Sequence, residues 1–575
     1  MASDGRESHV LSEVEAGAAS RGPAAVMPTS QEWVEEPLPG VDWSFGAADG
    51  DGTEDWHEDE PEAGPWRDRF VRRCWLPIVL VTAIGVIAMI NHFSGVDWGD
   101  DFALYMRQAK AVTTGSIGDV LHDNRFAVDN SGWNTFSPYS YPWGWPLLVA
   151  PFYAVFGLNY EVFKVLEVLA LCTFLAAFFA IVRRRGGVIP ATLLVLVIGL
   201  SPSYLGATDT VLSDLPYLGF VGLTLWWIDR CRLKGQFGEN WRLVVLGLLL
   251  AYTYSVRREG IVLVAAVVAA HLSILARQRK RVGVSGLNWR KAALPYAVLG
   301  VVVVLLRIAF PTALMPDTPG AGVQNVSARV EYYTDVVAEH VGLKDLGGVM
   351  QLFGSPSLAD NAMTLIVVLA GLGVVLRLKS HFREDIAIAV FFCCSAGLML
   401  VSPYQESRYF FTITPFLLYF AYQALPSLVG AARLKNPAVL RVAVLLPALG
   451  LGGLLLLNAR DVKRSTTYHL DYHYTVHGPE SPDARQMFSV VEDRTGEDDV
   501  ILFFRARAMT LYTDRLAIQG SNLDQLLPRS DWYVMAKGST YSQALLNDQE
   551  AAARGLVKEW ENGSWVLWRV APHQR

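Results

Sequence analysis

The segment Leu76-Pro77-Ile78-Val79-Leu80-Val81-Thr82-Ala83-Ile84-Gly85-Val86-Ile87-Ala88-Met89-Ile90 carries no charge, and shortly after it Gly99-Asp100-Asp101-Phe102-Ala103-Leu104-Tyr105 sets two adjacent carboxylates beside the apolar block. A charged side chain in the hydrocarbon layer costs on the order of 2.5–3.5 kcal/mol, so acids at the edge of a membrane span are either functional or part of a solvated loop that ends a helix. The same alternation of long apolar blocks and short polar edges recurs through the chain. At 52% hydrophobic and 18% charged residues over 575 positions, without a sustained period of 2 or 3.6, the composition is that of a polytopic membrane protein.

A helix needs about 20 mostly apolar residues to cross a bilayer, which predicts roughly eleven spans. Their centres fall near Ala83, Leu171, Leu196, Gly222, Leu249, Val267, Val303, Leu369, Phe392, Leu417 and Leu449. Basic clusters at Arg67–Arg73, Arg183–Arg185, Arg230–Lys234, Arg277–Arg281, Arg377–Arg383 and Arg433–Arg441 occupy every second connection. Positive charge stays on the cytoplasmic side, so residues before the first span are expected there and those after Asn458 outside. Cys74, Cys172, Cys231, Cys393 and Cys394 lie in or beside spans, which leaves no disulfide framework for the outer part.

Residues 1–66 hold sixteen acids against two arginines, with scattered Pro and Gly and no apolar period. Such a segment is expected to be a disordered acidic cytoplasmic tail, too polar for a signal peptide. Without it 39 acids face 47 bases, so the formal charge of −6 conceals a basic body. The cytoplasmic loops account for that excess, and no nucleic-acid footprint is present. An excess of Arg over Lys in an Ala-, Val- and Gly-rich chain fits a GC-rich bacterial genome and hence a bacterial cytoplasmic membrane.

Polar residues concentrate on the predicted outer face. The connection from Asn91 to Gly157 is far longer than an ordinary helix link, and long ordered loops usually carry function. Within it, Phe102, Tyr105 or Met106, Ala109 and Val112 or Thr113 recur at helical spacing, which predicts a helix over Asp101 to Thr114 lying on the membrane surface. Asp100, Leu104 and Gln108 share one side of it, and Asp101 begins the neighbouring side. Tyr139 and the run Tyr141-Pro142-Trp143-Gly144-Trp145-Pro146 read as an interfacial aromatic belt or as substrate contacts.

Taken jointly, five motifs resemble the GT-C glycosyltransferases, in the branch that contains protein O-mannosyltransferases and the lipid A aminoarabinose transferase. They are Asp100-Asp101 with Tyr105 and Ala109, the turn Tyr141 to Leu148, Leu212-Ser213-Asp214-Leu215-Pro216, Arg258-Glu259-Gly260 and Glu406-Ser407-Arg408-Tyr409, all at predicted outer edges between Trp75 and Leu425. The resemblance implies transfer of a sugar from a polyprenyl-phosphate donor to a glycan, lipid or protein acceptor on the outer side. It also implies a carboxylate base four residues before a Tyr, which selects Asp101 with Tyr105 and leaves Asp100 as the adjacent alternative. Where many members read Asp-Glu, this chain reads Asp101-Phe102.

That chemistry needs a base for the acceptor hydroxyl and cations for the departing phosphate. Arg257, Arg258, Arg307 and Arg408 are the phosphate candidates, because the guanidinium fork donates two parallel hydrogen bonds. Alternatively Arg258 pairs with Glu259 and Arg408 with Glu406. Arg307 stands among apolar residues, where an unpaired charge is costly unless it snorkels. Asp209 and Asp214 are placed to contact sugar hydroxyls or to pair with these arginines. Tyr141, Tyr332 and Tyr333 are further substrate candidates, the last two in a second outer loop from Pro311 to Asn361 that is suited to a lid.

Beyond Asn458, Val500–Phe504, Leu516–Gln519 and Trp532–Ala536 read as buried strands between helices over Asp483–Arg494 and Tyr541–Ala553, and Leu556–Trp560 turns at Asn562-Gly563 into Trp565–Val570. The expected organisation is therefore a tail (1–66), a GT-C-like α-helical polytopic body (67–458) and a small outer α/β domain (459–575) for acceptor binding or support. No nucleotide-binding motif or metal-ligand spacing appears; His469, His473 and His477 read as solvated or packing residues rather than as a metal set. No cofactor is expected, with a divalent metal left open. A lipid-linked sugar flippase or other transporter is the alternative, but it wants ionisable groups near mid-bilayer, and here they gather at the outer ends. A noncatalytic scaffold leaves the clustered Asp and Arg without a use.

Overall fold

The structure, a computed structural model, describes residues 66–571 apart from 133–135, 137, 234–235, 312–325, 344–356, 403–404, 435, 473–475 and 539–540. The acidic segment, His473 and much of the second outer loop lie outside the described residues. All described residues belong to one compact unit, 59–575.

Helices α1 (Trp66–Ile90), α2 (Asp101–Thr114), α3 (Ile117–Asn130), α4 (Gly144–Phe156), α5 (Tyr160–Gly186), α6 (Val188–Gly199), α7 (Pro202–Ala207), α8 (Asp214–Cys231), α9 (Asn240–Val256), α10 (Ile261–Val282), α11 (Trp289–Ala309), α12 (Val326–His340), α13 (Ser357–Ser380), α14 (Phe382–Val401), α15 (Thr414–Ala431) and α16 (Pro437–Tyr472) follow one another along the body. Each of the eleven expected centres falls on one of them. Among the described residues six helices, within α5, α10, α11, α13, α14 and α16, are long and apolar enough to cross a membrane, and stretches of α1, α4 and α6 are apolar but shorter. The caps follow the sequence: Asn159 accepts from the Val162 N–H to start α5, and Arg183, Arg184 and Arg185 occupy its last turn.

Two expectations change. Helix α2 has the expected bounds, yet it does not lie on a surface: Phe102 to Ala109 are all buried, because both sides of the helix are covered by other elements. It packs against α4 on one side and a helix of the C-terminal layer on the other. The boundary near Asn458 also moves, since α16 runs unbroken to Tyr472. At 36 residues and about 1.5 Å per residue it projects well past a hydrocarbon core of about 30 Å.

The C-terminal layer is a five-stranded sheet ordered β6-β5-β7-β9-β8. Short β1 (Ser94–Gly95), β2 (Arg232–Leu233), β3 (Gln236–Phe237) and β4 (Val476–His477) precede it, and β1 pairs in parallel with β4. Strands β5 (Val500–Leu502), β6 (Leu516–Ile518) and β7 (Trp532–Ala536) are parallel; β8 (Leu556–Glu561) and β9 (Trp565–Val570) form the expected antiparallel hairpin, with β9 on β7. Around them lie α17 (Pro482–Arg494), α18 (Ala506–Thr513), α19 (Leu523–Leu526) and α20 (Asp548–Ala553). Helix α20 begins later than expected because Asn547 and Glu550 form a reciprocal capping box there. Trp98, just before the acidic pair, packs edge-on against Phe504 and Trp565 of this layer, with ring centroids 5.2 and 5.4 Å apart. The segment around Trp98 is thereby held against the sheet layer.

Candidate active site

Asp101 opens α2, and residues one and two turns later complete its surroundings. Tyr105 hydrogen-bonds Ser213 Oγ at 2.8 Å and lies against the Tyr141 ring at 4.6 Å. Gln108 grips the Tyr141 backbone twice, donating to its carbonyl at 3.0 Å and accepting from its N–H at 3.2 Å. So held, the Tyr141 hydroxyl donates to Asp101 Oδ1 at 2.6 Å. The working face is thus Asp101, Tyr105 and Gln108, with i, i+4, i+7 spacing.

The other Asp101 oxygen receives Arg408 Nη2 at 2.8 Å, and Arg408 Nη1 stands 3.6 Å from Asp214. Asp214 pairs in turn with Arg257, whose second nitrogen lies 3.3 Å from Glu259. Carboxylates and guanidinium groups therefore alternate from Asp101 through Arg408, Asp214 and Arg257 to Glu259. Each arginine lies between two acids and keeps its charge despite burial; at Arg408 the Asp214 and Asp101 carboxylates push the pKa up. Arg408 Nε is buried and has no partner among the described residues.

The two adjacent acids are shifted in opposite directions. Burial pushes both carboxyls up. At Asp101 the Arg408 charge, the hydrogen bonds from Tyr141 and Arg408, and the charge of Arg507 outweigh burial, so the group sits below the usual carboxylate range. At Asp100, which is 8% exposed, burial prevails over Arg507 and Arg505 and the carboxyl sits above that range. Its contacts come from the sheet layer, with Arg505 Nη1 3.4 Å away.

Two cavities flank the chain of charges and share Asp214, Arg408 and Phe411 in their walls. One is lined by the polar Arg257, Glu259, Tyr217 and Tyr409 and by the apolar Val262, Leu398 and Met399. The other adds Glu167, Ser203 and Thr210. Glu167 is buried and accepts from the Leu212 N–H at 3.0 Å.

Of the expected site residues, the structure brings together Asp101, Tyr105, Tyr141, Asp214, Arg257 and Arg408, with Asp100 alongside. Glu259 is engaged by Arg257, and Arg408 reaches Asp101 and Asp214 in place of Glu406. Arg258 is half-buried in the one-turn helix after Arg257. Asp209 pairs with Lys164 at 2.7 Å, and not with an arginine of this cluster; the apolar surroundings of the Lys164 side chain demand a counter-charge next to it. Arg307 is exposed in the last turn of α11 and makes no ion pair or hydrogen bond with the cluster among the described residues. Tyr333 is buried and stacks on Phe410 at 4.1 Å, with Tyr332 beside it, so the pair props the segment that carries Arg408. Among the described residues no group of three or more His, Cys, Asp or Glu side chains is placed to hold a metal ion.

Sequence reading missed Arg505, Arg507 and Gln519, which come from the sheet layer. The available signal was their position just beyond parallel strands β5 and β6, where open α/β sheets carry their ligands.

The architecture is shared with solved structures of low sequence identity, so the likeness is one of fold. It is similar to ArnT from Cupriavidus metallidurans bound to undecaprenyl phosphate, at a TM-score of 0.53 and 13% identity over 87% of this chain and 98% of that one. The apo state of ArnT gives 0.52 and 12% over the same shares. Archaeal oligosaccharyltransferase AglB from Archaeoglobus fulgidus, in complex with an inhibitory peptide and a dolichol-phosphate, gives 0.48 and 11%, over 81% of this chain and 70% of that chain. No family model and no curated protein matches the chain.

Proposed function

We propose that the protein is a glycosyltransferase that moves a sugar from a polyprenyl-phosphate donor to an acceptor hydroxyl at the outer face of a membrane crossed by eleven spans. The observation that carries this reading is the charge alternation from Asp101 to Glu259 along a cavity whose wall combines guanidinium groups with apolar side chains. A lipid phosphate has that polarity, and ArnT, with the same fold, binds undecaprenyl phosphate. The phosphate belongs beside Arg257 and Arg408, the prenyl chain beside Val262, Leu398 and Met399. The acceptor belongs in the second cavity, where Glu167, Ser203 and Thr210 offer partners for hydroxyl groups.

In the reaction the acceptor oxygen bonds to the anomeric carbon as its proton passes to the Asp101 carboxylate. The bond from that carbon to the phosphate oxygen breaks, and its electron pair leaves on the phosphate. Arg257 and Arg408 are placed to stabilise the growing charge, since charge-assisted bonds in a water-poor site outweigh the same contacts in water.

Binding of polyprenyl phosphate to protein in lipid nanodiscs tests the assignment. Arg257→Met and Arg408→Met each remove a charged donor worth about 1.5–3 kcal/mol, and so are expected to weaken binding about tenfold or more. Unchanged affinity in both variants would place the phosphate elsewhere.

A further inference from the structure

We infer that the C-terminal layer is part of the catalytic centre, with Arg507 as the positioning residue that aims the Tyr141 hydroxyl at Asp101 and supplies a cation to the Asp100 and Asp101 pair. This rests on the transfer reading above.

Arg507 is 3% exposed, and a guanidinium is buried only where its donors are met. Its Nε donates to Asn124 Oδ1 at 2.8 Å and its Nη2 to the Pro138 carbonyl at 2.8 Å, both on the first outer connection. Nη1 points at the Tyr141 hydroxyl from 3.5 Å, and the planar group covers the Phe136 ring at 4.5 Å and the Tyr141 ring at 5.5 Å. No carboxylate is in ion-pair contact with it among the described residues. The charge of Arg507 acts on the acidic pair, and both acids are held lower by it.

The sheet delivers this side chain by a fixed route. Strand β5 ends at Leu502, Phe503 N–H bonds the Ile518 carbonyl at 2.9 Å, and Ala506 N–H is received by Gln519 Oε1 at 2.8 Å. Gln519 also binds the first outer connection, receiving the Gly132 N–H on its carbonyl at 2.9 Å and donating its own N–H to Ser131 Oγ at 3.0 Å. Arg505 and Arg507 are thus presented on one rigid turn, the first to Asp100 and the second to Tyr141. The charged and titratable groups around Asp101 are Arg408 from the segment before α15, Tyr141, Tyr105 and Asp100 from the first outer connection, and Arg507 from α18. Arg507 couples this base to the sheet layer through the Tyr141 hydroxyl.

The test compares the pH profile of single-turnover transfer for wild type, Arg507→Met, Arg507→Lys and, as a control elsewhere in the layer, Arg515→Met. Arg515 bonds Thr495 and, among the described residues, makes no ion pair or hydrogen bond with Asp100 or Asp101. Loss of the cation raises the pKa of the base, so Arg507→Met is expected to move the acid limb upward by about one unit. Misaimed groups are expected to lower the plateau rate about tenfold to a hundredfold. Arg507→Lys restores the limb but not the plateau, because ammonium keeps the charge and loses the planar fork. Arg515→Met leaves the limb in place. A limb unmoved in Arg507→Met, in protein that folds, overturns the inference. If wild type transfers no sugar, the transfer reading fails, and infrared titration of the carboxyl stretch, assigned with Asp100→Asn and Asp101→Asn, decides Arg507: an unshifted Asp101 overturns its role and an upward shift supports it.

Discussion

Replacing Asp101 by Asn keeps the volume of the side chain and removes the carboxylate proposed to take the acceptor proton. Base catalysis contributes about 10²–10⁴-fold, so single-turnover transfer is expected to fall by that order while donor binding survives. The neighbouring acid predicts a smaller effect, because burial keeps the Asp100 carboxyl above the usual range and its contacts are to the sheet layer. Tyr141→Phe separates ionisation from loss of the base. Its hydroxyl donates to the charged form of Asp101, so without it the Asp101 pKa rises; the acid limb of transfer then moves to higher pH, since the base works only above its pKa. Equal rates for wild type and Asp101→Asn, with only Asp100→Asn inactive, would transfer the role of base to Asp100.

Gly144 shows how a turn between elements aims these side chains. A Cβ on it would stand 2.5 Å from the Ser255 carbonyl carbon and the Val256 nitrogen, both backbone atoms of α9, and its own carbonyl receives the Tyr252 hydroxyl at 2.9 Å. Only glycine lets α4 approach α9 this closely, and Tyr141 lies three residues upstream. Gly144→Ala is therefore expected to cost about 1–3 kcal/mol of stability and to depress transfer beyond what lost folded protein explains. A thermal unfolding midpoint and a rate per folded molecule check the two parts separately. The turn, Asp101 with Tyr105, Asp214 and Arg408 were legible because each sits where a polar residue interrupts an apolar block. The burial of α2 was not: its apolar positions fit a membrane surface as well as a protein interior, and its second cover comes from α18, about 400 residues away in sequence. Asp209 and Arg307 stand apart from the arginine cluster for a related reason. Sequence shows that a charge needs a partner, but Lys164 is invisible as that partner until α5 packs beside Asp209.

The two ends of the helical bundle carry different kinds of charge. Asp101, Asp214, Arg257 and Arg408 gather where α8 begins and α9 ends. At the opposite ends of α5 and α8, Arg185 joins Asp229 at 2.7 Å and Asp385 at 2.8 Å, and Arg377 from the last turn of α13 joins Asp385 as well. Those ends also hold Arg183, Arg184 and Arg230, and the last turn of α10 holds Arg279, Lys280 and Arg281. Helix α1 climbs from Trp66 to the site end, where His92 meets Thr208 and Lys164 reaches the Phe93 carbonyl. Helix α16 also finishes there, with Thr466 receiving a bond from Asn91 at 2.9 Å. Positive charge is retained on the cytoplasmic side, which predicts the basic ends and Trp66 inside and the site and sheet layer outside. Reporter fusions active only on the outer side are therefore expected to work at Arg575 and to fail near Trp66. Outer-side activity at both positions would break the link between the basic ends and the cytoplasm, and with it the placement of transfer on the outer face.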